Sequence, residues 1–192
     1  CVTHVELLFA LSALQAVESD PRDRIEHASV VFDEVMPLLR DSGVSVVTQP
    51  GFLWQRGERY LKTLSGHEID HLYRHASIAA AGINVVVSSD APYGPLNPWQ
   101  VIHAATERRT REGKIIGADE GIAAETALVS YLRQPHSLTA PPRSITVGSD
   151  ADICVLQKPW RGVFDRVADT RVLMTVGNGV LIYHADAEIR RQ

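Results

Sequence analysis

Residues 84–92 read NVVVSSDAP, a β-branched run that stops at an aspartate and a proline. A strand apolar on both faces is what a parallel sheet buries beneath its covering helices. Two earlier segments end in the same manner, VTH at 2–4 and RIEHA at 24–28. His4, His27 and Asp90 therefore each fall where a strand is expected to stop. Barrel enzymes carry their chemistry at the ends of parallel strands. Imidazole and carboxylate donors at three such ends suggest a divalent metal that activates water.

Outward from that stretch, apolar spacing predicts a helix over 5–19, a short strand at Ile25 and a helix over 31–42 that holds Pro37 and stops at Gly43. VSVVT at 44–48 predicts a buried strand. The turn residues of QPGFLWQRGERY predict a long loop, with Phe52, Trp54 and Tyr60 as candidate pocket walls beside Tyr93 and Trp99. A helix is expected over 66–81, ended by Gly82. Pro92, Gly94, Pro95 and Pro98 make a loop, and Asn97-Pro98 opens a helix to about Arg111. Another helix is expected from Asp119 to about Arg133. The proline-rich PHSLTAPPRS at 135–144 reads as a linker. Short β runs follow, SITV, ADICVL, RVLMTV and GVLIY, with a hairpin signal at Gly177-Asn178-Gly179.

Four alternating strand–helix units followed by a small all-β tail define an α/β chain. Four such units are half of a TIM-type (β/α)₈ barrel.

Composition narrows the class of function. The 192 residues are 45% hydrophobic and 22% charged, with net charge −4 and pI about 6.1. No long basic run is present, which argues against nucleic acid and anionic membranes as partners. The apolar run Ile83 to Val87 is too short to span a bilayer. Cys1 and Cys154 make no disulfide framework, Cys154 is expected to be a buried thiol, and a reducing, cytoplasmic compartment is expected. The chain starts without Met inside an expected strand, so it is expected to be a piece of a longer polypeptide.

The quoted segments, in order, resemble the metal-dependent amidohydrolases, closest to amidohydrolase family 3. They are His4 before a helix, RIEHA, TQP at 48–50, AGINVVVSSDAP, GSDADICVL at 148–156 and TVGNGVLIY at 175–183. The resemblance implies that the half barrel is the C-terminal half, over residues 1–135, followed by part of a small β-sandwich over 136–192. It also implies hydrolysis of a carbon–nitrogen bond in a small amide or formamide. It implies that His4, His27 and Asp90 ligate one or two divalent ions, with zinc the expected metal and His27 and Asp90 the catalytic residues. Asp90 would pass a proton from attacking water to the leaving group, while Arg24 and Glu26 orient the site. GSDADICVL implies a structural β segment. The family's strand-one HxH and strand-four lysine have no counterpart in these residues. Association with the missing half or with a second copy is therefore expected, and metal binding by this piece alone is expected to be weak or absent.

Two other readings stay open. His67-Glu68-Ile69-Asp70-His71 fits the HExxH pattern of zinc proteases, with His75 one turn on. A non-catalytic fragment or interaction module would bind no stoichiometric metal.

Overall fold

The structure is a computed structural model that describes residues 1–17, 20, 22–164 and 166–185. The chain divides into two compact units, Cys1–Pro142 and Arg143–Gln192. The first is mixed α/β. Its sheet has three parallel strands, β1 (Arg24–Glu26), β2 (Ser45–Thr48) and β3 (Val85–Val87), with β2 in the middle. All four β2 residues are buried, as an apolar central strand requires.

The expected strand at 2–4 does not form. Thr3 instead caps helix α1 (His4–Gln15) in a capping box with Glu6, so His4 is the first helical residue. Only Cys1 lies alongside β1: its amine donates to Glu26 O, and Ser29 N–H donates to Cys1 O. The expected loop at 49–60 is also overturned. It is helix α3 (Gly51–Thr63), which follows α2 (Met36–Asp41) and β2. Phe52, Leu53 and Gly57 turn inward at helical spacing. Gly57 is there for room, since a Cβ would come within 2.3 Å of Thr110 Cγ2. The helix expected over 66–81 is two short ones, α4 (Gly66–Asp70) and α5 (His75–Ala80), parted where Tyr73 takes a left-handed φ of 50°. Helices α6 (Pro98–Glu107) and α7 (Ala124–Leu132) complete the unit.

Among the described residues, two apolar clusters build the core of the first unit. One packs Leu7 and Leu11 of α1 with Ile25, Val46, Leu39 and Ile78. The other gathers Val30, Phe52, Leu53, Leu72, Tyr73 and Ile116. Next to the second core lies a buried cation, Arg108, 1% exposed. Its Nε donates to Ile116 O at 2.8 Å, Nη1 to Tyr73 O at 2.9 Å and Nη2 to Leu72 O at 2.8 Å. Burial lowers its pKa to about 10, against the pull of Glu120. Arg74 extends the network to Asp33 at 2.6 Å and to Glu120 at 3.2 Å, and Glu120 also accepts from Ser77 N–H and Oγ. Burial opposes ionisation of Glu120, but the Ser77 and Arg74 donors outweigh it and hold the carboxyl below its ordinary value.

The second unit carries an antiparallel sheet of β4 (Ile153–Leu156), β5 (Val172–Gly177) and β6 (Val180–His184). Asn178 and Gly179, both at positive φ, make the hairpin turn between the last two. SITV forms no strand, and Cys154 in β4 is exposed where a buried thiol was expected.

Removing the guanidinium would strand the buried Leu72 and Ile116 carbonyls and leave that of Tyr73 with the His75 N–H alone. Arg108→Met is therefore expected to lower unfolding free energy in urea by about 3–5 kcal/mol. Arg108→Lys should recover only part, because one ammonium cannot reach three diverging acceptors. A loss under ~1 kcal/mol for Arg108→Met would contradict the role assigned to this side chain. His75, 5% exposed, has both ring nitrogens buried without partners. Desolvation depresses its pKa from 6.5 to about 4, opposed by Glu120 and assisted by Arg108. The unfolded chain then binds the proton first as pH falls, so stability is full above pH 6.5 and declines toward pH 4, by about 3 kcal/mol. Chemical denaturation across that window should show a steeper decline for wild type than for His75→Phe, and parallel curves would sink the assignment.

Candidate active site

The ends of β1 and β3 bring together two of the three side chains singled out by the sequence. Past β1 the ladder continues one residue, with His27 N–H donating to Val47 O at 2.8 Å. The backbone then turns left-handed at His27 (φ 71°) and Ala28 (φ 42°). Such φ values are uncommon outside glycine and each costs about 1–3 kcal/mol unless surrounding contacts impose them. The contacts that impose them are visible: Ser29 O accepts from Tyr73 N–H at 2.8 Å, and Val31 N–H donates to His71 O at 3.2 Å. Arg108 fixes the opposing segment through the Leu72 and Tyr73 carbonyls.

Past β3, Ser88 N–H still donates to Thr48 O, and the chain turns left-handed at Asp90 (φ 52°). Tyr93 and Gly94 N–H both donate back to Asp90 O, at 2.8 and 3.0 Å. The result places His27 Nε2 3.8 Å from Asp90 Oδ2. The other ring nitrogen, His27 Nδ1, is buried without a partner.

His4 is placed differently. It opens α1, its ring packs on Phe32 with centroids 4.3 Å apart, and its Nδ1 is buried without a partner. Among the described residues no group of three or more His, Cys, Asp or Glu side chains is arranged to hold a metal. His27 and Asp90 have the N and O donor chemistry a divalent ion takes. The orphaned Nδ1 atoms of His4 and His27 are buried groups that want a partner. The pair thus fits as part of a coordination set, and further donors are needed to close it.

Gln49 was missed as a site residue, although TQP marks the end of β2. It is 2% exposed and lies among the three strand ends, its Nε2 donating to Val47 O and Ser88 Oγ, each at 3.1 Å, and approaching Glu26 Oε2 at 3.4 Å. Its Oε1 is buried and unpartnered. Glu26 is itself held by Arg24 at 2.7 Å. Phe52 is a wall of the site: its ring lies 6.1 Å from that of His27 in a stacked arrangement. Tyr60 reaches Tyr73, hydroxyl to hydroxyl at 3.2 Å. Trp54 instead lies under Arg111, Trp99 is buried in α6, and Tyr93 is exposed.

The HExxH segment serves a different purpose. Glu68 turns back to cap its own helix, accepting from Ser65 N–H and Oγ. That helix, α4, has five residues, and His71 lies outside it at φ −110°. His71 Nδ1 is 2.7 Å from His67 O, and both rings pack on Phe32. The carboxylate a protease would use as base is committed to the cap.

Comparison with known proteins places this geometry in context. The model of a family described as "Amidohydrolase family" matches residues 3–183. An N-substituted formamide deformylase of Arthrobacter pascens is 29% identical over 183 residues, covering 90% of this chain and 34% of the deformylase. A metal-dependent hydrolase from Pyrococcus horikoshii shares 26% identity at a TM-score of 0.57, over 65% of this chain and 26% of that one. Its counterpart from Pyrococcus furiosus gives 26% and 0.53, over 64% and 24%. The chain thus spans about a third or less of the length of these relatives.

The turn that carries Asp90 is tight enough to test. A Cβ on Gly94 would lie 1.8 Å from Ser89 O and 3.6 Å from Phe52 Cε1. Gly94→Ala should cost about 1–3 kcal/mol in unfolding free energy. Gly66→Ala, with nothing within 4 Å of the added carbon, should change it by less than about 0.5 kcal/mol. Equal effects at the two positions would show that the turn is not packed as described.

Proposed function

The chain belongs to the amidohydrolase family, and from that membership we propose that it serves a hydrolase that breaks a non-peptide carbon–nitrogen bond in a small amide or formamide. The observation that carries the reading is the His27–Asp90 pair, 3.8 Å apart at the ends of β1 and β3. The matching deformylase and the two metal-dependent hydrolases support both the bond type and the need for a divalent ion.

His27 and Asp90, with His4 from the adjoining segment, would hold that ion. A metal held there would supply Lewis acidity toward the scissile carbonyl and would bring the pKa of its bound water down to about 7. Asp90 accepts a proton from the attacking water through Oδ2. It returns the proton to the departing nitrogen as the C–O bond forms and the C–N bond breaks. His27 stands beside Asp90, its Nε2 3.8 Å from Oδ2. Gln49 and the Arg24–Glu26 pair keep the three strand ends in register. Zinc is the metal best suited to mixed imidazole and carboxylate ligation.

The architecture proposed for residues 1–135 is half of a (β/α)₈ barrel, and for 136–192 part of a β-sandwich. A short parallel sheet with three strands needs neighbours at its edges. The remaining metal donors and strands are proposed to come from the segments that the relatives have and these residues do not span, either as a companion polypeptide or through a second copy of this chain. The compartment proposed is the cytoplasm. No helix among the described residues is long and apolar enough to cross a membrane.

Metal stoichiometry tests the reading. Because the site in this chain is incomplete, zinc binding is measured by dialysis to equilibrium across a zinc series, with the bound metal read by elemental mass spectrometry for the chain and its variants. His27→Ala and Asp90→Ala are expected to lose at least tenfold in zinc affinity, while His67→Ala and His71→Ala keep that of wild type. The opposite pattern, or zinc affinity indifferent to all four, would rule the reading out.

A further inference from the structure

The second unit holds a polar cleft that the candidate active site does not use. Strands β4 and β5 run as an antiparallel pair, and their register shifts between Val155 and Leu156. Such an irregularity bends a strand and ends regular pairing nearby. One further bond, Gln157 N–H to Arg171 O at 2.9 Å, closes the ladder. Pro159 has no N–H to donate, so the ladder cannot continue through it. On the other side a single 3₁₀ turn, Val167–Asp169, leads into β5. The two segments line a cleft of about 320 Å³ with Gln157, Lys158, Ala168, Asp169, Thr170 and Arg171. Small-molecule sites start at about 300 Å³, so the space suits a compact ligand.

The polar groups of this cleft are unevenly matched. Lys158 and Arg171 are exposed, and among the described residues no carboxylate pairs with either. Asp169 stands 4.0 Å from Arg166, with both side chains open to water. A pair of that kind is weakly held, which leaves the carboxylate able to accept from another donor. Thr170 N–H donates to Val167 O, but Thr170 Oγ1 is buried with no hydrogen-bond partner. A buried hydroxyl left unpaired is uncommon and calls for a group that completes it. Two cations and a hydroxyl in one small cleft match a tetrahedral oxyanion. A phosphomonoester carries a charge of about −1.5 to −2 at pH 7 and offers an acceptor oxygen to each of the three donors. We propose that this cleft binds a small phosphomonoester that also carries hydroxyl groups. Lys158 and Arg171 take the phosphate, Thr170 donates to one of its oxygens, and Asp169 accepts from a hydroxyl of the ligand. The inference concerns the second unit alone and goes beyond the hydrolase reading, on which it does not rest.

The test uses the full chain with glycerol phosphate, inorganic phosphate and glycerol as probes. Binding is followed by titration calorimetry at low salt, where charge pairs are least screened, and located by amide chemical shifts. Wild type is expected to bind glycerol phosphate about tenfold or more tighter than inorganic phosphate, the range of a hydrogen bond to a charged group, and glycerol undetectably. Lys158→Gln and Arg171→Gln should each weaken glycerol phosphate about tenfold or more. Asp169→Asn should bring the two phosphates to within about threefold of each other. Lys62→Gln, which removes an exposed cation of α3 in the first unit, should leave every affinity within about twofold. Thermal midpoints of these variants should stay within about 2 °C of wild type, because the altered side chains are all exposed. No binding of glycerol phosphate, shifts that fall away from residues 157–158 and 168–171, or equal losses in Lys62→Gln and Lys158→Gln would overturn the proposal. Equal affinity of wild type for both phosphates would overturn the role of Asp169 and with it the ligand class.

Discussion

The buried guanidinium of Arg108 is the constraint on which the rest of the first unit depends. It satisfies three carbonyls that no helix or sheet claims, those of Leu72, Tyr73 and Ile116. The segment so fixed then donates to Ser29 O and accepts from Val31 N–H. Those two bonds hold the chain just past β1, where His27 and Ala28 adopt left-handed φ values that an unsupported backbone would leave. A polar network remote from the strand ends thereby fixes the direction in which a candidate ligand leaves its strand. The surrounding ions act together with it. Arg74 links Asp33 to Glu120, and Glu120 caps α5 through Ser77.

The parallel sheet and two of its three candidate ligands were legible from local pattern. VSVVT and NVVVSS are β-branched runs that cannot be mistaken for helices; His27 directly follows β1, and Asp90 lies three residues past the end of β3. The failures have particular causes. Pro50, Gly51 and Gly57 look like loop residues. Pro50 lies at an N-terminal cap and Gly57 makes way for Thr110, a contact 53 positions away that no local window contains. The 66–81 segment has helical composition throughout, yet tertiary bonds to Ser29 and Arg108 pull Tyr73 out of the helical region. Thr3 and Glu6 formed a readable capping box, a signal that should have moved His4 from a strand end to a helix start. Arg108 itself is hidden in ERRT, which reads as surface charge. Its burial follows from acceptors 35 and 36 residues earlier in the chain.

The histidine-rich segment shows how a motif can be present without its chemistry. HExxH needs a continuous helix with both imidazoles and the glutamate directed outward to one ion. Here the same residues cap a single turn and build an aromatic cluster on Phe32, which also receives the His4 ring. Local hydrogen bonds from Ser65 outcompete the metal geometry, since an N-cap contributes about 1 kcal/mol with no ion required.

The central claim is that His27 and Asp90 are partners at one metal. The most direct measurement is anomalous X-ray diffraction at the zinc edge from crystals of the chain soaked at a zinc concentration high enough to fill a weak, incomplete site. The account predicts an anomalous peak roughly 2.0–2.2 Å from both a His27 ring nitrogen and an Asp90 carboxylate oxygen. A peak at His67 and His71, with none beside the strand-end pair, would contradict it.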